Sequence, residues 1–190
     1  QGYQIQRSGR TVQGVLEEGL ERLHGVPIRT VPAGRTDSGV HARGQYVTFT
    51  SSLDGLSVGD FPRAVNTRIP HDVSALKAWH VRDDFHARYD AVLRHYRYYL
   101  LVADVRDPHL RGQAYRIPQL PDLERLNREA AAFVGTHDFT TFAHRRDDRQ
   151  TMTRTVHYAH FRRRGRQIEF AIGADGFLWR MVRSIVGTLV

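Results

Sequence analysis

Ala33-Gly34-Arg35-Thr36-Asp37-Ser38-Gly39-Val40-His41-Ala42 is the stretch whose residue types could do chemistry. A carboxylate such as that of Asp37, kept ionised where water is partly excluded, can serve as a nucleophile or a base. Arg35, two residues earlier, carries a guanidinium that could hold a phosphate or occupy the stack vacated by an extruded base. Other chemistries fail on the letters. A serine-hydrolase elbow needs glycine two residues on either side of its serine, and Ser38 has Thr36 and Val40 there. A phosphate-binding P-loop needs glycine followed by lysine, and the sole lysine, Lys77, is far along the chain. No second acidic residue lies near Asp37 in sequence to complete an acid–base pair of carboxylates. On spacing alone, Asp37-Ser38-Gly39 reads first as a tight turn, since Asp and Gly are common turn formers.

Two further groups stand out. In Arg94-His95-Tyr96-Arg97-Tyr98-Tyr99, strand alternation places Arg94, Tyr96 and Tyr98 on one side and His95, Arg97 and Tyr99 on the other. Strand tyrosines usually serve packing, but interleaving with arginine suits a surface that stacks on bases and holds phosphates. Arg183, together with Arg180, interrupts an otherwise apolar run, Phe177 to Gly187, where an arginine ordinarily snorkels or pairs at the edge. His157 and His160 are three apart in a stretch read as strand, so alternation sends them to opposite faces and they are not expected to share a metal ion.

The elements that must position these groups follow from periodicity. Ile28 to Pro32 and Gln45 to Phe49 bracket the Asp37 loop as short strands. Val12, Val15, Leu16, Leu20 and Leu23 share a helical face between Thr11 and Leu23, with Gly25 as the stop. Ser51 to Gly59 reads as linker and Asp60 to Arg68 as a short helix with Pro62 near its start. Asp72 to Arg82 alternates, with Val73, Ala75, Trp79 and Val81 on one parity, which predicts a strand. Ala91 to Val102 predicts a long strand, and 103–121 a loop broken by Pro108 and Pro118. Asp122 caps a helix to Val134, His144 to Gln150 is a charged loop, and Thr155 to Arg162 with Gln167 to Ala174 form a hairpin across Gly165. Phe177 to Val190 is an apolar helix. Neither a repeat nor a low-complexity tract is evident. The best partition is two α/β halves, 1–90 with the Asp37 loop and 91–190 with the tyrosine strand and the arginine helix.

The chain has 190 residues, 41% of them hydrophobic, which is enough for a core. It carries 28 Lys+Arg against 20 Asp+Glu, a formal net charge of +8 that favours a polyanionic partner such as nucleic acid. With no cysteine there are no disulfides or thiolate metal sites, which fits a reducing cytosol. No apolar run approaches membrane-spanning length, and the first residues lack the basic-then-apolar layout of a signal peptide, so a cytoplasmic protein without membrane contact is expected.

Gly34-Arg35-Thr36-Asp37 with Gly39-Val40-His41-Ala42 resembles the active-site loop of the tRNA pseudouridine synthase A family, G-R-T-D-x-G-V-H-A. The resemblance continues through Gly2-Tyr3-Gln4-x-Gln6 (Tyr3 standing where the family usually has tryptophan), Arg10-Thr11-Val12-Gln13, Phe85-His86-Ala87-Arg88-Tyr89, the R-x-Y-x-Y of Arg94 to Tyr98, and Phe177-Leu178-x-x-Met181-Val182-Arg183-x-Ile185-Val186-Gly187. It implies an α+β pseudouridine-synthase fold, two similar halves with mostly antiparallel sheets meeting at a central RNA-binding cleft. Asp37 becomes the catalytic carboxylate, and Arg183 its buried ion-pair partner. Tyr96 is implied as the residue that packs on the target base, with Arg35 and Arg94 as substrate-binding residues. The implied reaction isomerises uridine to pseudouridine in the anticodon stem-loop of tRNA, with no cofactor or metal, in a cytoplasmic homodimer. Family members carry a strand before this sequence and a helix and strand after it, so a fragment is expected. A non-catalytic RNA-binding module of the same fold and a base-removing glycosylase are the other readings.

Overall fold

In the computed structural model, residues 1–147 and 150–190 are described, and they divide into two compact units, Gln1–Ala91 and Val92–Val190. The charged loop expected at 144–150 lies partly outside the described residues.

The first unit is built on helix α1, Val12–His24. Thr11 caps its start by accepting from the Gly14 N–H, and Gly25 ends it at φ 74°, a left-handed conformation that glycine adopts at little cost. Two short antiparallel strands follow, β1 (Val31–Pro32) and β2 (Val47–Thr48), then helix α2, Phe61–Asn66. Leu20, Ile28, Val65 and Ile69 form the buried core, flanked by Leu16, Leu23, Phe49, Phe61, Val73 and Ala75. Gly19 lets α1 approach Ile69, whose Cγ2 would lie 2.3 Å from any Cβ placed there.

The strand expected from Asp72 to Arg82 is corrected. Val73 and Ala75 do turn to the core, but no ladder engages the segment among the described residues. The Asn66 side chain takes both the N–H and the carbonyl of Ala75 at 2.7 and 2.9 Å. Trp79, expected on the core parity, is exposed and stacks on Tyr46 at 6.0 Å between centroids.

A polar knot that periodicity does not disclose sits under α1. The Glu17 carboxylate is buried and accepts from the Thr30 N–H (2.9 Å), the Thr30 hydroxyl (3.0 Å), Gln13 (2.9 Å) and Arg29 (2.9 Å). Burial pushes its pKa up, but these bonds outweigh that and hold it below the ordinary carboxylate value. A depressed folded pKa contributes stability that is fully present above the unfolded value of about 4.3 and is lost as pH falls through the folded pKa. Glu17→Ala, which strands the buried Thr30 donors, should therefore cost about 1–3 kcal/mol at neutral pH. It should also flatten the acid limb of the stability curve, as read by urea titrations from pH 3 to 7. The Tyr3 hydroxyl nearby is buried with no hydrogen bond of ordinary geometry among the described residues, and burial raises its pKa.

The second unit is a five-stranded sheet with helices against it. Its elements are β3 (Arg94–Val102), β4 (Tyr115–Ile117), α3 (Leu123–Ala131), β5 (Gly135–Asp138), β6 (Thr153–Arg164), β7 (Gln167–Ala174) and α4 (Met181–Leu189). The strand order is β4-β3-β7-β6-β5, antiparallel throughout except for the parallel β3–β4 pair. The chain is thus a mixed α/β protein with a mostly antiparallel sheet. Asp122 caps α3 by accepting from Glu124 and Arg125, and Leu126, Ala130, Phe139, Phe170, Ile172, Met181 and Ile185 fill the core. Strands β4 and β5 lie where the sequence predicts loop and helix end. Each is three or four residues long and exists because a longer neighbour offers it an edge.

The alternation assigned to β6 also needs correction. Register slips between Val156, opposite Ala174, and Tyr158, opposite Gly173, so Val156 and Ala159 are both buried although three apart. Simple parity therefore does not separate His157 from His160. No group of three or more His, Cys, Asp or Glu suited to a metal occurs among the described residues.

Candidate active site

Asp37 opens a tight turn in which the Val40 N–H donates to the Asp37 carbonyl at 3.1 Å and Gly39 takes φ 78°. Only that third position requires glycine's left-handed freedom. The entry to the loop is tied to β2's flank: the Ala33 N–H donates to the Tyr46 carbonyl at 2.8 Å and the Gln45 side chain to the Gly34 carbonyl at 2.5 Å. The Tyr3 N–H donates to the Thr36 carbonyl at 3.0 Å from the other side. So the residues before and within the turn are fixed by bonds to their main chain, while Asp37 is half-buried and Arg35 exposed.

In the second unit, Arg94, Tyr96 and Tyr98 share the side of β3 that faces the core, opposite Ala174, Ile172 and Phe170 of β7. Tyr96 is half-buried and meets Phe177 edge-on, with centroids 4.7 Å apart and planes at 65°. Arg94 Nη1 donates to the Asp175 carbonyl at 2.5 Å, which ties the start of β3 to the end of β7. On the other face, Arg97 pairs with buried Glu169 at 3.7 Å. The interleaved arginines therefore have structural work within this sheet as well as charge to offer.

Arg183 lies on α4 and is exposed. It lines an open groove of about 410 Å³ with Tyr98, Leu100, Tyr115 and Arg116. The helix is shorter than expected, because Arg180 is left-handed at φ 62° and Trp179 is held on both sides: its N–H donates to Asp147 Oδ2 at 2.6 Å and its carbonyl accepts from His144. Phe177 is thereby released from the helix and reaches Tyr96.

Sequence reasoning assigned no role to Gly2, Tyr3, Asp175 or Phe177. Gly2, Tyr3 and Phe177 stood in resembling motifs, and Asp175 lay outside every stretch singled out from the sequence.

A model of the tRNA pseudouridine synthase family matches residues 3–90 and 130–190. The chain belongs to that family. Among curated relatives, tRNA pseudouridine synthase A of Halalkalibacterium halodurans is 43% identical over 190 residues, all of this chain and 72% of its own length. The proteins of the same name from Borrelia hermsii and Staphylococcus aureus are 36% and 39% identical over 189 residues, with 77% and 70% of their lengths covered. Within the tRNA pseudouridine synthase match, Arg35, Asp37 and Arg183 lie inside the matched spans, and Arg94 and Tyr96 lie between them. No helix among the described residues is long and apolar enough to cross a membrane.

Proposed function

We propose that this chain isomerises uridine to pseudouridine in the anticodon stem-loop of tRNA, acting as a cytoplasmic homodimer. Family membership together with the half-buried Asp37 on its backbone-fixed turn is the observation that carries the reading. In this reading the C1′–N1 bond breaks, uracil turns, and a C1′–C5 bond forms. The C5 proton leaves and N1 gains one, so mass is unchanged and neither oxidant nor energy source is consumed. Asp37 supplies the carboxylate that attacks or shields the electron-poor centre. Tyr96 stacks on the extruded base, and Arg183 orients or compensates the Asp37 charge. Arg35 and Arg94 engage the RNA backbone.

Incubating the protein with unmodified tRNA transcript, followed by digestion and mapping, tests this. Mass-neutral pseudouridine confined to the anticodon arm supports it. Free uracil would mean a glycosylase, and unchanged RNA that nonetheless binds would mean a non-catalytic module.

The +8 charge and the exposed Arg162, Arg163 and Arg164 at the hairpin end support phosphate-directed binding. Affinity for tRNA should fall with salt along a log–log slope of several units, measured by filter binding. A slope near zero would count against a nucleic-acid function of any kind.

A further inference from the structure

Gly2 is buried against the backbone of the loop that carries Asp37. A Cβ at this position would lie 2.6 Å from the Thr36 carbonyl oxygen and 3.0 Å from both the Asp37 carbonyl carbon and the Ser38 nitrogen. All three neighbours are main-chain atoms, so no rotamer change can make room. Gly2 does not have a left-handed φ, so glycine is needed here for space and not for backbone angle. The contact cannot drift apart either. Tyr3, only 2% exposed, donates its N–H to the same Thr36 carbonyl, while its own carbonyl accepts from Gln13 at 2.9 Å in the first turn of α1. The Gly2 carbonyl accepts from Val12 at 3.4 Å. Residues 2 and 3 are thus wedged between the start of a capped helix and the Thr36–Ser38 backbone.

We infer that Gly2, held through Tyr3, is a positioning residue for Asp37: its missing side chain sets the height of the Thr36–Ser38 backbone and hence the aim of the carboxylate. The inference rests on the reading of Asp37 as the catalytic group. Any larger residue must lift the loop by several tenths of an ångström to reach ordinary contact distance, and misplacing a reacting group by about 1 Å costs on the order of 10²-fold in rate.

The test compares Gly2→Ala, Gly2→Val and Tyr3→Ala with Val65→Ala, a core control on α2, in steady-state assays run well below each variant's melting temperature. Gly2→Ala should lower kcat by about 10- to 100-fold with KM for tRNA within about twofold, and Gly2→Val should lower it further. The Ser38 and Gly39 amide resonances should shift in Gly2→Ala while those of α2 stay in place. Val65→Ala should lose melting temperature and keep kcat. If Gly2→Ala does not fold, Tyr3→Ala, which loosens the wedge without filling it, must show the same selective loss of kcat, and wild-type kcat there overturns the inference. A folded Gly2→Ala with wild-type kcat overturns it too, whatever its melting temperature. Asp37→Asn in parallel separates the two readings: if it retains turnover, the assignment of Asp37 has failed, and if it is dead while Gly2→Ala is fully active, only the positioning role has.

Discussion

Asp37→Asn should reduce pseudouridine formation by about 10³-fold or more while leaving melting temperature and tRNA affinity close to wild type. The substitution keeps the shape of the side chain and removes only its charge and basicity. The turn around it is held by bonds from the main chain and from Gln45, none of which uses the carboxylate. Nothing in the loop should therefore collapse, and the loss should be chemical. Arg183→Met should also cripple turnover, but its stability effect differs from that of a buried ion pair, where stranding one charge costs roughly 3–5 kcal/mol. Arg183 is exposed, so its removal should change stability by no more than about 1 kcal/mol. If both residues serve one chemical step, the double variant should be no slower than Asp37→Asn alone, since groups acting as a unit are strongly non-additive. Multiplicative losses in the single-turnover rate would show that they serve different steps. A folded Asp37→Asn with near wild-type rate would remove the carboxylate from the mechanism.

Tyr96 separates stacking from proton transfer. Its ring is half-buried and braced edge-on by Phe177, so Tyr96→Phe should hold the same position with the hydroxyl gone. If the ring only packs against the target base, Tyr96→Phe stays within a few-fold of wild type, whereas Tyr96→Leu, lacking a π face, loses about 1–3 kcal/mol of base stacking. If the hydroxyl relays a proton, both variants fall by about 10²-fold or more. Tyr96→Leu should also destabilise the second unit by about 0.5–1.5 kcal/mol beyond the lost area, because the ring pair with Phe177 is broken. Single-turnover rates on tRNA, set beside urea melts, read both effects. Full activity in Tyr96→Leu would exclude Tyr96 from the site.

What the amino-acid sequence determined by itself is what local rules encode. Thr11 and Gly25 bound α1, Asp122 opens α3, and Asp37-Ser38-Gly39-Val40 closes a turn, because each depends on neighbours a few residues away. The β6–β7 hairpin follows from alternation across Gly165, and the family motif was legible because its loop is contiguous. Tertiary structure decided the rest. Asp72 to Arg82 alternates like a strand yet pairs with none among the described residues, since Asn66 takes the Ala75 backbone groups. Strands β4 and β5 are too short to have a pattern and exist only against β3 and β6. The slip near His157 reverses a parity that the letters alone imply, and Trp179's anchors to residues more than thirty positions away shorten α4 and free Phe177 to reach Tyr96. Glu17's knot with Thr30 and the wedge of Gly2 under Asp37 join segments distant in sequence. Such contacts leave no periodicity, because a buried hydrogen bond or a missing Cβ is set by what lies across the gap and not by what comes next in the chain.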